Sequence, residues 1–318
     1  MDDARVVIRD VLMRDGLQNL TEFIPTELKI ELFRMIAASG VPEIEFTSFV
    51  SPKAVPQFSD AAEVARAVMA IAPPGVRPAA LVPNLKGAQL ALASGVRQLE
   101  FVVSVSESHN LSNVRRTRAE SVDELRKILA LREAHPDLTV RVGMATVFGC
   151  PFEGKISPAV VLGFAGQLYD LGIRGISLSD TIGSGNPREV REVSRLCAAE
   201  LPDAIFSVHL HNTRGLGPAN AYAAFESGIR VFDGAIGGLG GCPFAPGARG
   251  NIATEDLVYL FEGMGVATGI RMEALLEIAR HLQGKHPAVR CSSSMLEVGP
   301  PRALGAVAGA AGEQKWSG

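Results

Sequence analysis

The chain of 318 residues is 47% hydrophobic and 20% charged, a globular balance with apolar mass for one large domain or two ordinary ones. A formal net charge of −3, with no Lys/Arg run and no basic–aromatic interleaving, argues against a nucleic-acid or anionic-membrane surface and points to a small-molecule partner. Cys150, Cys197, Cys242 and Cys291 lack CxxC spacing, which speaks against a disulfide framework or a structural zinc site and for a reducing compartment. The opening "MDDARVVIRD" lacks the basic and apolar segments of a leader, and no apolar run reaches the roughly 20 residues of a membrane helix. The expectation is a cytoplasmic protein, in which the sequons at Asn19 and Asn110 are chance matches.

Along the chain, short β-branched segments alternate with amphipathic stretches. Strands are expected at 5–13, 42–48, 77–83, 98–105, 139–147, 174–180, 206–212 and 231–237. Between them, 26–39 and 158–171 carry apolar residues at helical spacing. Ser157-Pro158 reads as a helix start, Ser121 to Glu124 as a capping box, and Gly40, Gly95 and Gly172 as helix ends. Eight βα units predict a (β/α)8 TIM barrel, whose usual size is about 250 residues. A doubly wound open sheet is the runner-up, weakened because no GxGxxG or P-loop follows the first strand. The barrel is expected over 1–285, closing on a C-terminal helix. Residues 286–318, rich in Pro, Gly, Ala and Ser, form a tail that is either loosely ordered or packed over a subunit interface.

Strand alternation then assigns faces. In 206–212, Phe206, Val208 and Leu210 face the helices while Ser207, His209 and His211 face the barrel axis. Glu43, Glu45 and Thr47 turn inward on the second strand, Glu100 and Ser104 on the fourth, Ser177 and Ser179 on the sixth. A barrel interior normally favours branched apolar residues, so this much inward polarity suggests a functional top layer.

His209 and His211, about 7 Å apart along one strand face, could converge on one ion, although two hydrogen-bonded histidines near a loop give the same pattern. Asp15, just after the first strand, and Asn251, after the last, supply the oxygens that decide for a metal. Two imidazoles, a carboxylate and an amide oxygen suit Mg2+ or Mn2+ better than zinc. Asp15 could otherwise serve as a turn cap before Gly16. Arg14 beside it offers a fixed cation for a developing oxyanion, or a surface ion pair. The loop from Gly237 to Gly250 is long and glycine-rich and places Cys242 at its centre, as a closing lid would. Cys150 reads as a buried structural thiol. Lys53 and Lys86, on strand-end loops, are either phosphate contacts or ordinary solvated lysines.

The stretches "RDGLQN" (14–19), "EFTSFVSPKAVPQ" (45–57), "PNLKG" (83–87), "GCPFEGKISP" (149–158), "SLSDTIG" (177–183), "HLHNTRG" (209–215) and "GLGGCPFAPGARGNIATEDLVY" (238–259) closely resemble the 3-hydroxy-3-methylglutaryl-CoA lyase family. The resemblance runs in order from about residue 5 to 284. It implies a TIM-barrel metallolyase holding Mg2+ or Mn2+ on Asp15, His209, His211 and Asn251, with Arg14, Glu45, Cys242 and His209 in catalysis. It also implies an acyl-CoA partner met by Arg14, Gln18, Ser48, Ser177 and Thr181, a homo-oligomer, and a place in leucine degradation. The implied reaction is a retro-Claisen cleavage releasing acetyl-CoA. Arg14 would stabilise the thioester oxygen, and Glu45 would accept the hydroxyl proton or orient Arg14. Cys242 would protonate the enolate carbon, with His209 or a metal-bound water competing for that role.

Relatives of the human type read "HCHDTYG" where this chain has Asn212 and Arg214, and carry Lys at Thr21 and Trp at Ala54. No metal ligand changes; the departures fall where the substrate rim is expected, and Ala54 implies room for a larger acyl branch. Citramalyl-CoA or a longer-branched thioester is therefore an alternative substrate. A condensing synthase is the weaker expectation because such enzymes usually append a regulatory domain and only about 30 weakly patterned residues follow the barrel here, and a non-catalytic paralogue is opposed by the joint retention of the site residues.

Overall fold

The computed structural model describes residues 5–241 and 250–299. Eight parallel strands close into a barrel in sequence order: β1 (Val7–Asp10), β2 (Glu43–Ser48), β3 (Arg77–Leu81), β4 (Gln98–Ser104), β5 (Thr139–Ala145), β6 (Gly175–Asp180), β7 (Ile205–Leu210) and β8 (Val231–Gly234). The helices are α1 (Thr26–Ala38), α2 (Ala61–Ile71), α3 (Leu85–Ala93), α4 (Glu107–Val114), α5 (Arg118–Ala130), α6 (Pro158–Asp170), α7 (Pro187–Glu200), α8 (Gly217–Phe225), α9 (Thr254–Gly263), α10 (Met272–Lys285) and α11 (Ser294–Val298). The expected TIM barrel is thus observed, with each strand inside or beside its expected segment.

Local chemistry explains the elements. In α6 the Ser157 hydroxyl accepts from the Val160 N–H and Pro158 occupies the first turn. Val161, Phe164, Ala165 and Leu168 then fall on one buried stripe. Burying a side chain such as Leu168 contributes about 1.5–3 kcal/mol, and Phe164→Ala would cost about 3–5 kcal/mol. Gly40 ends the first helical turn-off with φ +99°, where a Cβ would lie 2.4 Å from the Gly269 carbonyl oxygen, so no larger residue fits.

Two local expectations are corrected. The capping box lies at Thr117 and Glu120, not at Ser121 and Glu124. Ser121 is instead buried inside α5 against Asn110 Nδ2 at 2.8 Å, and Glu124 accepts the Leu85 N–H. Thr117 wins because its extended backbone aims its hydroxyl at the free helix N–H groups. The seventh strand ends at Leu210, so His211 leaves the parallel sheet and pairs antiparallel with Asn251.

Beyond α10, Val289 is buried, Ser292 N–H donates to the Gly237 carbonyl, and Asp256 accepts from the Ser294 and Met295 N–H groups. No helix among the described residues is long and apolar enough to cross a membrane.

Candidate active site

At the C-terminal mouth of the barrel a cavity of about 460 Å³ is lined by residues from most strands and their following loops. Arg14 and Asp15 reach it on a single π-helical turn, Leu12–Gly16, directly after β1. Such turns re-aim side chains at functional sites. Arg14 Nε donates to Glu45 Oε1 at 2.5 Å, its Nη2 reaches Glu45 Oε2 at 3.4 Å, and Nη1 donates to Asp15 Oδ1. The guanidinium is therefore held from two sides, and Arg14 is only 8% exposed.

Asp15, His209 and His211 place one ligand atom each within 4.8 Å of one another. The two histidine Nε2 atoms face each other at 3.3 Å, and Asp15 Oδ2 lies 4.0 Å from each. Asn251 donates its N–H groups to Asp15 Oδ2 at 2.6 Å and to the Leu239 carbonyl at 3.0 Å. The His211–Asn251 bridge and the tight Gly240, where a Cβ would meet Asn251 Nδ2 at 2.5 Å, hold this amide in place.

The electrostatics favour a cation. Burial opposes ionisation of Asp15, but Arg14, both histidines and the Asn251 hydrogen bond outweigh it and hold the carboxyl well below its usual range. Burial and the neighbouring His209 push His211 down to about 4, so its ring is neutral at pH 7. His209 stays above its usual value because the Asp233 hydrogen bond and the Asp15 charge overcome burial. A carboxylate, a neutral imidazole and a second imidazole with Nε2 turned to the same point fit a hard divalent ion. His211 Nδ1 is buried without a hydrogen-bond partner among the described residues.

Of the other expected site residues, Gln18, Ser177 and Thr181 line the cavity. Ser177 Oγ is buried without a partner among the described residues, whereas Thr181 Oγ1 accepts the Thr146 N–H at 2.8 Å. Thr146 adopts φ +61°, an uncommon conformation for a threonine, which turns that N–H to Thr181. Ser48 is fully buried and lies outside the cavity lining, its Oγ likewise without a partner among the described residues. Cys242 lies outside the described residues. Cys150 is buried, with Sγ 2.9 Å from Ser106 Oγ, as a structural thiol should be. Lys53 and Lys86 are exposed.

The rim expectation for Asn212 and Arg214 is corrected. Asn212 Oδ1 accepts the Gly217 N–H at 3.0 Å, and Arg214 donates to the Ile182 and Gly183 carbonyls; neither lines the cavity. Both tie loops together, because the chain turns away from the mouth directly after His211. Ala54 does line the cavity, on a wall with Val50, Val55, Leu81 and Val114.

Reading one strand at a time misses the layer beneath. Arg9 donates from Nε to Asp233 Oδ1 at 2.5 Å and from Nη2 to Ser207 Oγ at 2.8 Å. Arg77 and Arg141 both donate to Glu43, and Arg141 also to Glu100 at 3.1 Å. The acidic residue in the short eighth strand was the available signal for Asp233.

A family model described as HMGL-like matches residues 5–282. The (R)-citramalyl-CoA lyase of Chloroflexus aurantiacus is 44% identical over 279 residues, covering 85% of this chain and 88% of that protein. The mitochondrial hydroxymethylglutaryl-CoA lyase of Bos taurus is 42% identical over 273 residues, covering 86% and 83%. The structure of an HMG-CoA lyase from Acinetobacter baumannii, in complex with coenzyme A and 3-methylmalate, aligns with a TM-score of 0.89 at 39% identity, covering 96% of this chain and 98% of that one.

Proposed function

The chain belongs to the HMGL-like family, and from that premise we propose that it is a metal-dependent carbon–carbon lyase cleaving 3-hydroxy-3-methylglutaryl-CoA to acetyl-CoA and acetoacetate. The observation that carries this reading is the meeting of the Arg14–Glu45 pair with the Asp15, His209 and His211 cluster in one cavity. Mg2+ or Mn2+ would be held by Asp15, His209, His211 and Asn251, and when bound would supply the Lewis acidity that lowers the pKa of a tertiary hydroxyl.

In the retro-Claisen step the hydroxyl loses its proton, the C–C bond breaks, and the electron pair passes into the thioester as an enolate. Arg14 meets the enolate oxygen. Held by Glu45, its guanidinium needs no reorganisation as charge develops. Both Glu45 oxygens turn to Arg14, so Glu45 orients the guanidinium and is also the carboxylate we assign to take up the hydroxyl proton. Cys242 is the group we assign to protonate the enolate carbon, with His209 as the competing donor. Gln18, Ser177 and Thr181 are the proposed substrate contacts in the cavity wall, and Ser48, buried at the end of β2, is proposed with them. We also place the protein in the cytoplasm, as a homo-oligomer acting in leucine degradation.

A second reading is cleavage of citramalyl-CoA, favoured by the 44% identity to a lyase of that name. Purified protein with Mg2+ is incubated with both thioesters and longer-branched analogues, and products are followed by mass spectrometry. Acetoacetate with acetyl-CoA, lost on chelation, supports the first reading. Pyruvate from (R)-citramalyl-CoA as the dominant product installs the second, and cleavage of no member removes both.

A further inference from the structure

Asp233 is absent from the reaction just described, yet strand register sets it between two charged or titratable neighbours. Its Cα partners are Arg9 on β1 and His209 on β7, so the three residues share one level of the barrel. The carboxylate spends one oxygen on each: Oδ1 accepts from Arg9 Nε at 2.5 Å, and Oδ2 lies 3.2 Å from His209 Nδ1.

We propose that Asp233, anchored by Arg9, is a positioning residue that fixes His209 as the Nδ1–H tautomer and so presents an unprotonated Nε2 to the divalent cation. The inference rests on the metal reading of the Asp15, His209 and His211 cluster.

Asp233 is 7% exposed and Arg9 is 5% exposed, so their attraction is little screened and the carboxylate stays ionised beside the guanidinium. An ionised carboxylate only accepts hydrogen bonds, so the proton shared with His209 belongs to Nδ1. A neutral imidazole carries one N–H, which leaves the Nε2 lone pair directed at His211 and Asp15, where a ligand atom is needed.

Arg9 gives the anchor its stiffness. Its second donor reaches Ser207 Oγ at 2.8 Å, on the same face of β7 as His209, so the arginine spans from β1 across β8 to β7. Glu43, the register partner of Arg9 on β2, is itself held by Arg77 and Arg141. The two histidines of the HxH pair are thereby unequal: His209 is preset by Asp233, while His211 Nδ1 has no hydrogen-bond partner among the described residues.

The test is a Mn2+ titration of the full chain by calorimetry, beside 15N NMR of the metal-free protein. In Asp233→Asn the amide can offer an N–H to Nδ1 and move the imidazole proton to Nε2. Mn2+ affinity should fall about 10–100-fold, the usual cost of losing a group that orients a metal ligand. Ser207→Ala, which removes only the second contact of Arg9, should bind as wild type. In wild-type protein, at a pH high enough that the His209 ring is neutral, its nitrogens should give the shifts of the Nδ1–H tautomer, a measurement that stands even where Asp233→Asn does not fold. A folded Asp233→Asn chain with wild-type Mn2+ affinity, or an Nε2–H tautomer in the wild type, overturns the proposal. Wild-type protein that takes up no Mn2+ overturns the metal reading itself, and neither result depends on which thioester is cleaved.

Discussion

Arg9 and Arg14 stand on either side of the end of β1, both buried and both paired with a carboxylate from another strand, yet their surroundings differ. Arg9 is enclosed: Asp233 and Ser207 take its donors and Glu43 stands beside it in the register. Arg14 holds Glu45 and Asp15 but forms part of the cavity wall. A buried ion pair costs desolvation that close geometry must offset, so an enclosed guanidinium has its charge committed to the groups it holds in place. One left open toward a cavity keeps a charge that a substrate can use. The site is therefore two levels, a paired floor and a mouth where polar atoms of His211 and Ser177 have no partner among the described residues.

The largest effect is expected of Arg9→Met, which strands Asp233 in the floor. Stability should fall by about 3–5 kcal/mol in urea unfolding. A loss of about 0–1 kcal/mol, that of an exposed pair, would put Arg9 in the same class as a surface residue. Arg14→Met should instead lower thioester cleavage about 10²–10³-fold, or about 2.7–4 kcal/mol, on kcat. Its stability should drop less than that of Arg9→Met, because cavity water can solvate Glu45 and Asp15; an equal drop with unchanged kcat would reverse the assignment.

A third measurement concerns a buried acid away from both levels. Glu255 accepts the Gly237 N–H at 2.9 Å, and burial raises its pKa to about 7. The folded chain thus binds a proton that the unfolded chain has released above its own pKa of roughly 4.3. Its contribution is fully present below that value and is lost as pH rises through 7, on the order of 3 kcal/mol in total. Thermal unfolding at pH 5 and pH 8 should show this fall in the wild type and a shallower one in Glu255→Gln. Parallel pH dependences in the two proteins would exclude Glu255 as its source. The smallest effect is expected at Arg214→Met, which removes two loop-tying hydrogen bonds at about 0.5–1.5 kcal/mol each or less in this exposed position. Cleavage rate should be unchanged; a shifted KM would return Arg214 to the substrate rim.

Much of this was legible from the residues. Alternating β-branched and amphipathic segments specify a barrel because each pattern buries only one way, and the inward reading of Ser207, His209, Glu45, Glu100 and Ser177 holds in the cavity and the layer below it. The Ser121 capping box failed because the same residue types occur one turn earlier at Thr117, where the backbone is extended. Asn212 and Arg214 were placed on the rim by their nearness to His211 in sequence, but the chain turns away there.

By itself the sequence determined the closed (β/α)8 barrel, the family, and the inward face on which two histidines sit, since these follow from periodicity and from the order of motifs along one chain. Only the tertiary structure decided which charges meet. That Asp233 falls between Arg9 and His209, and that His211 leaves the sheet to pair with Asn251, depends on the stagger of strands around a closed barrel. Register across strands is a property of the closed sheet as a whole, and no local pattern encodes it.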